Sequence, residues 1–148
     1  MNDDLQKKLS GLRAEIDAID SQLLALLNQR ARCAQDVGRS KVAHGDNAPF
    51  YHPDREAQVL RRVQEANLGP LPSDKITWLF REIMSTCLAL EQPLNVAFLG
   101  PFGTFTESAA KRHFGEAAKL LPQLSIDDEF REVEVGNADY AVVPIENS

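Results

Sequence analysis

Residues 5–30 read LQKKLSGLRAEIDAIDSQLLALLNQR, and within them Leu5, Leu9, Leu12, Ile16, Ile19, Leu23 and Leu26 recur at alternating steps of four and three. That pattern is one apolar face of an α-helix. Its mean step of about 3.5 residues is the seam spacing of long packed helices. Nothing breaks the pattern before Gly38, and it runs to about Val42. A helix from Asp3 to Val42 is roughly 60 Å long at about 1.5 Å per residue. A domain of about 90 residues is only about 25 Å across. The stripe therefore outruns anything that the rest of one chain lays along it. The simple solution is a second copy of the chain, packed along the helix as an interlocked two-fold homodimer.

Working outward, Gly45, Asn47 and Pro49 mark a loop. Pro53 suits the first turn of a second helix, with Asp54 and Glu56 favourable at its positive end. Val59, Leu60 and Val63 give that helix its apolar face, and Gly69-Pro70-Leu71-Pro72 ends it. Ser73 reads as the N-cap of a third helix, striped by Ile76, Leu79, Phe80, Ile83, Cys87 and Leu90 and stopped by Pro93. Residues 1–92 thus read as an all-α three-helix domain.

After Pro93 the pattern changes. Asn95-Val96-Ala97-Phe98-Leu99 is a short apolar run that reads as a buried strand, closed by Gly100-Pro101. Gly103-Thr104-Phe105-Thr106 reads as a turn, with Thr106 the N-cap of a helix. A polar helix or loop follows, and Asp139-Tyr140-Ala141-Val142-Val143-Pro144 reads as a second strand. Strand–helix–strand points to a parallel α/β unit, here an incomplete segment over residues 93–148. So short a stretch of sheet buries little core. We expect it to be easily proteolysed and prone to edge pairing, or folded only against the helical dimer or another chain.

The 148 residues are 43% hydrophobic and 26% charged, an ordinary globular composition. The N-terminus lacks the basic and apolar regions of a secretory signal, and no apolar run approaches a membrane span. Cys33 and Cys87 lie far apart, without disulfide-scaffold, zinc or redox spacing. The expectation is a cytoplasmic protein with no metal and no cofactor. The net charge of −6 argues against a nucleic-acid partner. It is uneven: residues 1–92 carry 12 Lys/Arg against 13 Asp/Glu, and residues 93–148 carry 4 against 9. An anionic substrate belongs with the first part.

The cations of the long helix are ordered. Arg30 and Lys41 are 11 residues apart, which is three turns plus about 20°. They share a face, and Arg30 continues the apolar ladder from Leu26 toward Cys33. A cation on a core stripe is costly without a partner. Arg13 lies roughly 25 Å from Arg30 along the axis, so the two meet only if an antiparallel copy brings Arg13 across the seam. The plainer reading pairs Arg13 with Asp17 and lets Arg30 snorkel to solvent. Glu91 extends the Ile83–Cys87 face, although as a residue of the last turn it is also placed to face water. Arg55 and Glu56 are otherwise a surface pair, and Cys33 and Cys87 small core residues. Taken together these residues describe a partly buried cationic pocket with one or two carboxylates, suited to a small dianion. The apolar stripe alone fits equally a non-catalytic helical dimerisation or regulatory module. A dimeriser, however, has no use for Arg30, Lys41 and Glu91 on buried faces.

Residues 5–92 resemble the all-helical bacterial chorismate mutases. The resemblance is carried by Leu12-Arg13, Ile16-Asp17, Ile19-Asp20, Leu26-Leu27-Asn28-Gln29-Arg30, Val37-Gly38-Arg39-Ser40-Lys41 and Asp54-Arg55-Glu56. Residues 95–148 resemble the start of prephenate dehydratase, through the Val96–Thr106 stretch and through Asp139-Tyr140-Ala141-Val142-Val143-Pro144-Ile145-Glu146-Asn147-Ser148. The order is that of the fused chorismate mutase–prephenate dehydratases of phenylalanine synthesis. The resemblance implies a Claisen rearrangement of chorismate to prephenate, and in a longer protein the conversion of prephenate to phenylpyruvate.

It also implies roles. Arg30 and the partner's Arg13 hold the two substrate carboxylates, Lys41 reaches the ether oxygen and a carboxylate, Glu56 binds the ring hydroxyl, and Arg55 supports the field. His52 stands where the family often has Asp, after a loop about two residues longer than usual. Cys87 stands for a Ser that assists a carboxylate. Glu91 stands for a Gln that donates to the ether oxygen; an ionised carboxylate only accepts, so Glu91 acts protonated and activity falls as pH rises. Thr104, Thr106, Glu146, Asn147 and Ser148 correspond to residues of a dehydratase substrate lobe. The sequence stops inside a motif that normally continues, and it lacks the later Thr-Arg-Phe stretch and the phenylalanine-binding module. The expectation is therefore neither dehydratase activity nor feedback inhibition. A fragment of a dehydratase is the remaining alternative.

Overall fold

A computed structural model describes residues 2–46, 51–92 and 94–145 of the chain. The loop residues Asn47 and Pro49, the helix stop Pro93, and Glu146, Asn147 and Ser148 lie outside the described residues. Helix α1 runs unbroken from Asn2 to Ala43, with Asp3 and Asp4 in its first turn and Lys41 in its last, each of the sign that the helix dipole favours. Helix α2 spans Pro53–Ala66, its proline at the first turn, and buries Val59 and Leu60. Helix α3 spans Ser73–Glu91 and packs against both α1 and α2. Ser73 is the first residue of α3 rather than its cap; Pro72 holds the cap position. The Ser73 hydroxyl instead accepts a hydrogen bond from Asn67 Nδ2 at 3.2 Å, which ties the α2–α3 turn together.

The apolar stripe of α1 finds little cover within the chain. Leu12, Ile16, Ile19 and Leu23 are 46%, 55%, 53% and 52% exposed. Cys33, read as a small core residue, is also exposed, whereas Cys87 is buried. The reason is geometric: α2 and α3 are 14 and 19 residues long, too short to line a helix of 42.

The stretch read as a polar helix or loop holds both a strand and a helix. Strand β1 (Asn95–Leu99) leads to helix α4 (Phe105–Phe114), strand β2 (Lys119–Gln123), helix α5 (Ile126–Glu134) and strand β3 (Tyr140–Val142). Pro122 disguises β2, but β2 is an edge strand, where a missing backbone donor is tolerated. The sheet is parallel with order β2-β1-β3, and Val96 stands level with Leu120 on one side and Tyr140 on the other. Because the chain steps from β1 out to β2 and then back past β1 to β3, right-handed crossovers set α4 and α5 on opposite faces. Thr104, not Thr106, caps α4 and accepts from the Glu107 backbone N–H.

The core of this part is small: Phe102, Phe105, Leu124 and Phe130 are exposed, while Val96, Ala97, Phe98 and Ala110 are fully buried. Part of that cover comes from the helical domain. Tyr51 and Leu88 join Leu94, Val96, Ala110, Phe114 and Tyr140 in one cluster. The two parts also meet through backbone: the Glu116 N–H donates to Glu82 Oε2 on α3 at 3.1 Å. Gly115, at φ +84°, lies so close to α3 that a side chain there would overlap Ser85.

Candidate functional site

The last turns of α1, the start of α2 and the last turns of α3 enclose a cavity of about 380 Å³. Helix α1 presents Arg30, Cys33, Val37, Gly38 and Lys41 to it; α2 and the residues before it present Tyr51, His52, Arg55 and Glu56; α3 presents Ser85, Cys87, Leu88 and Glu91. Arg30 and Lys41 reach it together because their spacing on α1 puts both on the same face. Of the residues read as candidates in 1–92, Arg13 alone lies away from the cavity, exposed on α1 and without an ion pair among the described residues. The alternative pairing of Arg13 with Asp17 is not formed.

Lys41 Nζ lies 2.6 Å from His52 Nε2. An ammonium only donates, so a ring nitrogen that accepts completes this contact. The contact restrains the ammonium at the cavity. Arg55 lies exposed on the rim, its Nη1 donating to Gln58 Oε1 at 3.0 Å. Glu56 lines the cavity and also faces Arg81 on α3, its Oε1 3.7 Å from Nε, an ion pair beyond hydrogen-bonding distance. Burial raises the Glu56 carboxyl above the ordinary glutamate value, and Arg81, His113 and the Tyr51 hydroxyl partly oppose this. The Tyr51 hydroxyl is pushed well above the usual phenol range by burial and by Glu56, so it serves as a donor.

Glu91 lies against Gly38, and any side chain at 38 would overlap its carboxyl. The glycine lets α1 and α3 approach closely enough to hold Glu91 at the cavity wall. Its Oε1 is buried and makes no hydrogen bond. A buried polar atom left unsatisfied beside a cavity is an unused handle for a ligand. Among the described residues no group of three or more His, Cys, Asp or Glu is placed to hold a metal ion. Two cationic groups on one wall and two carboxyls on the others suit an anionic molecule that also carries a hydroxyl or ether oxygen.

This arrangement coincides with a sequence match. Residues 12–92 fit the family model described as chorismate mutase type II. The chain belongs to the chorismate mutase type II family. Solved chorismate mutases from Thermus thermophilus share the fold: one is 36% identical with a TM-score of 0.54, covering 57% of this chain and 94% of that one. A second form is 35% identical with a TM-score of 0.51, covering 54% and 98%.

The mutase family does not account for the rest of the chain. Residues 96–148 fit the family model for prephenate dehydratase. Relatives named bifunctional chorismate mutase/prephenate dehydratase match both parts. The one from Pseudomonas aeruginosa is 53% identical over 146 residues, and the one from Neisseria gonorrhoeae 49% over 148. The chain spans about 40% of the length of these relatives. On the dehydratase side, Thr104 and Thr106 sit at the carboxyl end of β1. Their hydroxyls lie 3.0 Å apart and both donate to the Leu99 carbonyl, which folds the turn on itself. Among the described residues no helix is long and apolar enough to cross a membrane.

Tyr51 and Phe114 at the cavity were not legible in the sequence. Tyr51 precedes α2 on the far side of an irregular loop, where no periodicity marks a face. Phe114 belongs to the second part and reaches the cavity only through the packing of α4 against the helical domain.

Proposed function

We propose that the chain rearranges chorismate to prephenate. The observation that carries this reading is the convergence of Arg30, Lys41, Glu56 and Glu91 on one cavity in a chain of this family. The reaction is a one-step pericyclic rearrangement. It needs no nucleophile; it needs a compact chair conformer and stabilisation of charge on the breaking ether oxygen. In this reading the guanidinium of Arg30 pairs with one substrate carboxylate, and Lys41, held by His52, faces the ether oxygen and a carboxylate. Glu56 accepts from the ring hydroxyl, and Arg55 adds positive field at the rim. Cys87 supports a carboxylate more weakly than a hydroxyl does. Glu91 stands where a donor to the ether oxygen is needed, a role that a carboxyl fills only in its protonated form.

The second carboxylate falls to the partner's Arg13 in an intertwined homodimer. The half-exposed stripe of Leu12, Ile16, Ile19 and Leu23 supports that arrangement. Burying such a stripe against a second copy is worth roughly 1.5–3 kcal/mol for each large side chain that becomes fully covered. Residues 96–148 correspond to the opening part of a dehydratase lobe, so dehydration of prephenate belongs to a longer protein containing the rest. We place the protein in the reducing cytoplasm.

The test is direct. Chorismate is added to the purified chain, and the loss of its ultraviolet absorbance is followed in buffers from mildly acidic to mildly alkaline. Prephenate is then assayed by its acid conversion to phenylpyruvate. Prephenate formation supports the reading, and chorismate that persists across the whole range ends it.

A further inference from the structure

We infer that the dehydratase-like part is a working component of the mutase site: Phe114 and Tyr51 form an aromatic wall that closes the cavity and holds Glu56 in position. This rests on the mutase reading and extends it to residues outside the matched mutase region.

Phe114 ends α4, in the part of the chain that matches the dehydratase model, yet it lines the mutase cavity. Its ring lies 5.8 Å from that of Tyr51 and 5.5 Å from that of Tyr140, and the Tyr51 and Tyr140 rings meet edge-on at 5.3 Å. Three rings in mutual contact fix one another's orientation, and tilted or edge-on contacts at these distances are favourable beyond the area they bury. Tyr51 and Phe114 are both buried.

The wall is tied to a charged group. The Tyr51 hydroxyl is within hydrogen-bonding reach of the Glu56 carboxyl. Glu56 faces charge from each element around it: Arg81 from α3, His113 from α4 and Tyr51 from the loop. Two of these three belong to the aromatic wall or stand next to it in the chain. The wall is clamped in place as well, because Gly115 follows Phe114 and abuts Ser85 on α3, and Glu116 bonds Glu82. Tyr51 and Phe114 are therefore positioning residues. They set where Glu56 stands and how far the cavity opens.

The experiment uses the full chain. Tyr51→Phe keeps the ring contacts and removes the hydroxyl; Phe114→Ala opens the wall, and Phe114→Leu refills it. For Tyr51→Phe we expect kcat for chorismate to fall on the order of tenfold, the effect of losing one hydrogen bond to a charged group. For Phe114→Ala we expect a rise in KM of similar order with a smaller change in kcat, reversed in Phe114→Leu. Carboxyl carbon NMR of Glu56 supplies a readout that a merely structural role leaves unmoved. Its titration midpoint moves up in Tyr51→Phe, which loses a hydrogen bond to the charged form, and down in Phe114→Ala, which lets water in. A Glu56 midpoint unchanged in both variants overturns the inference. So does an equal rise in KM from Phe105→Ala, which alters an exposed ring of the same helix. If the wild type turns over no chorismate, the proposed function fails by itself, and the Glu56 titration still decides the positioning role.

Discussion

The apolar stripe of helix α1 and the apolar run of strand β1 meet opposite fates. Val96, Ala97 and Phe98 of β1 are fully buried, although they belong to a sheet of only three strands. Leu12, Ile16, Ile19 and Leu23 of α1 remain about half exposed, although they belong to the larger, wholly helical part. The difference lies in reach. A five-residue strand is covered from both faces by two short helices, and neighbouring strands flank it. A helix of 42 residues presents its stripe over roughly 60 Å, and only its last third meets α3 and the cavity. Apolar content alone therefore says nothing about where a chain closes its core; the length of each element against its local partners decides.

The contrast breaks most sharply at Arg13 and Arg30. If the α1 stripe packs on a second copy, Arg13→Ala and Arg30→Ala each lower kcat/KM by about 10²–10³-fold, as loss of a carboxylate-binding guanidinium does. Each mixed dimer then carries one intact site, assembled from the intact Arg30 of one copy and the intact Arg13 of the other. Co-refolding equal amounts of the two inactive variants is expected to restore about a quarter of wild-type activity. Kinetics of the mixture measure this, and no recovery sinks the shared site. Next comes Glu91. The wild-type kcat/KM is expected to decline as pH rises, and Glu91→Gln to remain level through neutral pH, because the amide donates without a proton to lose. Two equally flat profiles at neutral pH would remove Glu91 from the donor role.

The α/β side of the comparison is probed by stability. Glu129 is fully buried in α5, and neither carboxyl oxygen makes a hydrogen bond. Burial raises its carboxyl above the ordinary glutamate value. The folded segment therefore holds this proton more tightly than the unfolded chain. The stability it contributes is full below the ordinary glutamate value and declines as pH rises through the raised one. Glu129→Leu is expected to stabilise the segment by about 1–3 kcal/mol at neutral pH and to remove that pH slope. Urea unfolding at two pH values reports both effects. The smallest expected effect is at Thr104. Thr104→Ala removes the α4 cap and costs about 1 kcal/mol, seen as faster cleavage of α4 in limited proteolysis. If that cleavage leaves mutase KM unchanged, α4 has no part in the cavity.

How much of the site was legible depended on how each residue is placed. Arg30 and Lys41 were legible together because a helix converts spacing into direction. Glu91 was legible because it extends the Ile83–Cys87 ladder of α3. Helix boundaries were off by one or two residues: at Thr106 because Thr104 has the same capping chemistry, and at Ser73 because α3 starts one residue earlier, with Pro72 in the cap position and no side-chain cap. Strand β2 was hidden by Pro122, which only an edge position makes tolerable, and edge position is a property of the assembled sheet.

By itself the sequence determined the three helices, their periodic faces, the cationic character of the site and the break in pattern after the third helix. These follow from local chemistry, because hydrophobic period, proline placement and helical angle act over a few residues. Only the tertiary structure decided that Gly38 makes room for Glu91, that His52 restrains Lys41, and that Phe114 reaches across to Tyr51 beside Glu56. Each of these joins segments far apart in the chain, and their meeting depends on how whole elements pack rather than on any spacing within one.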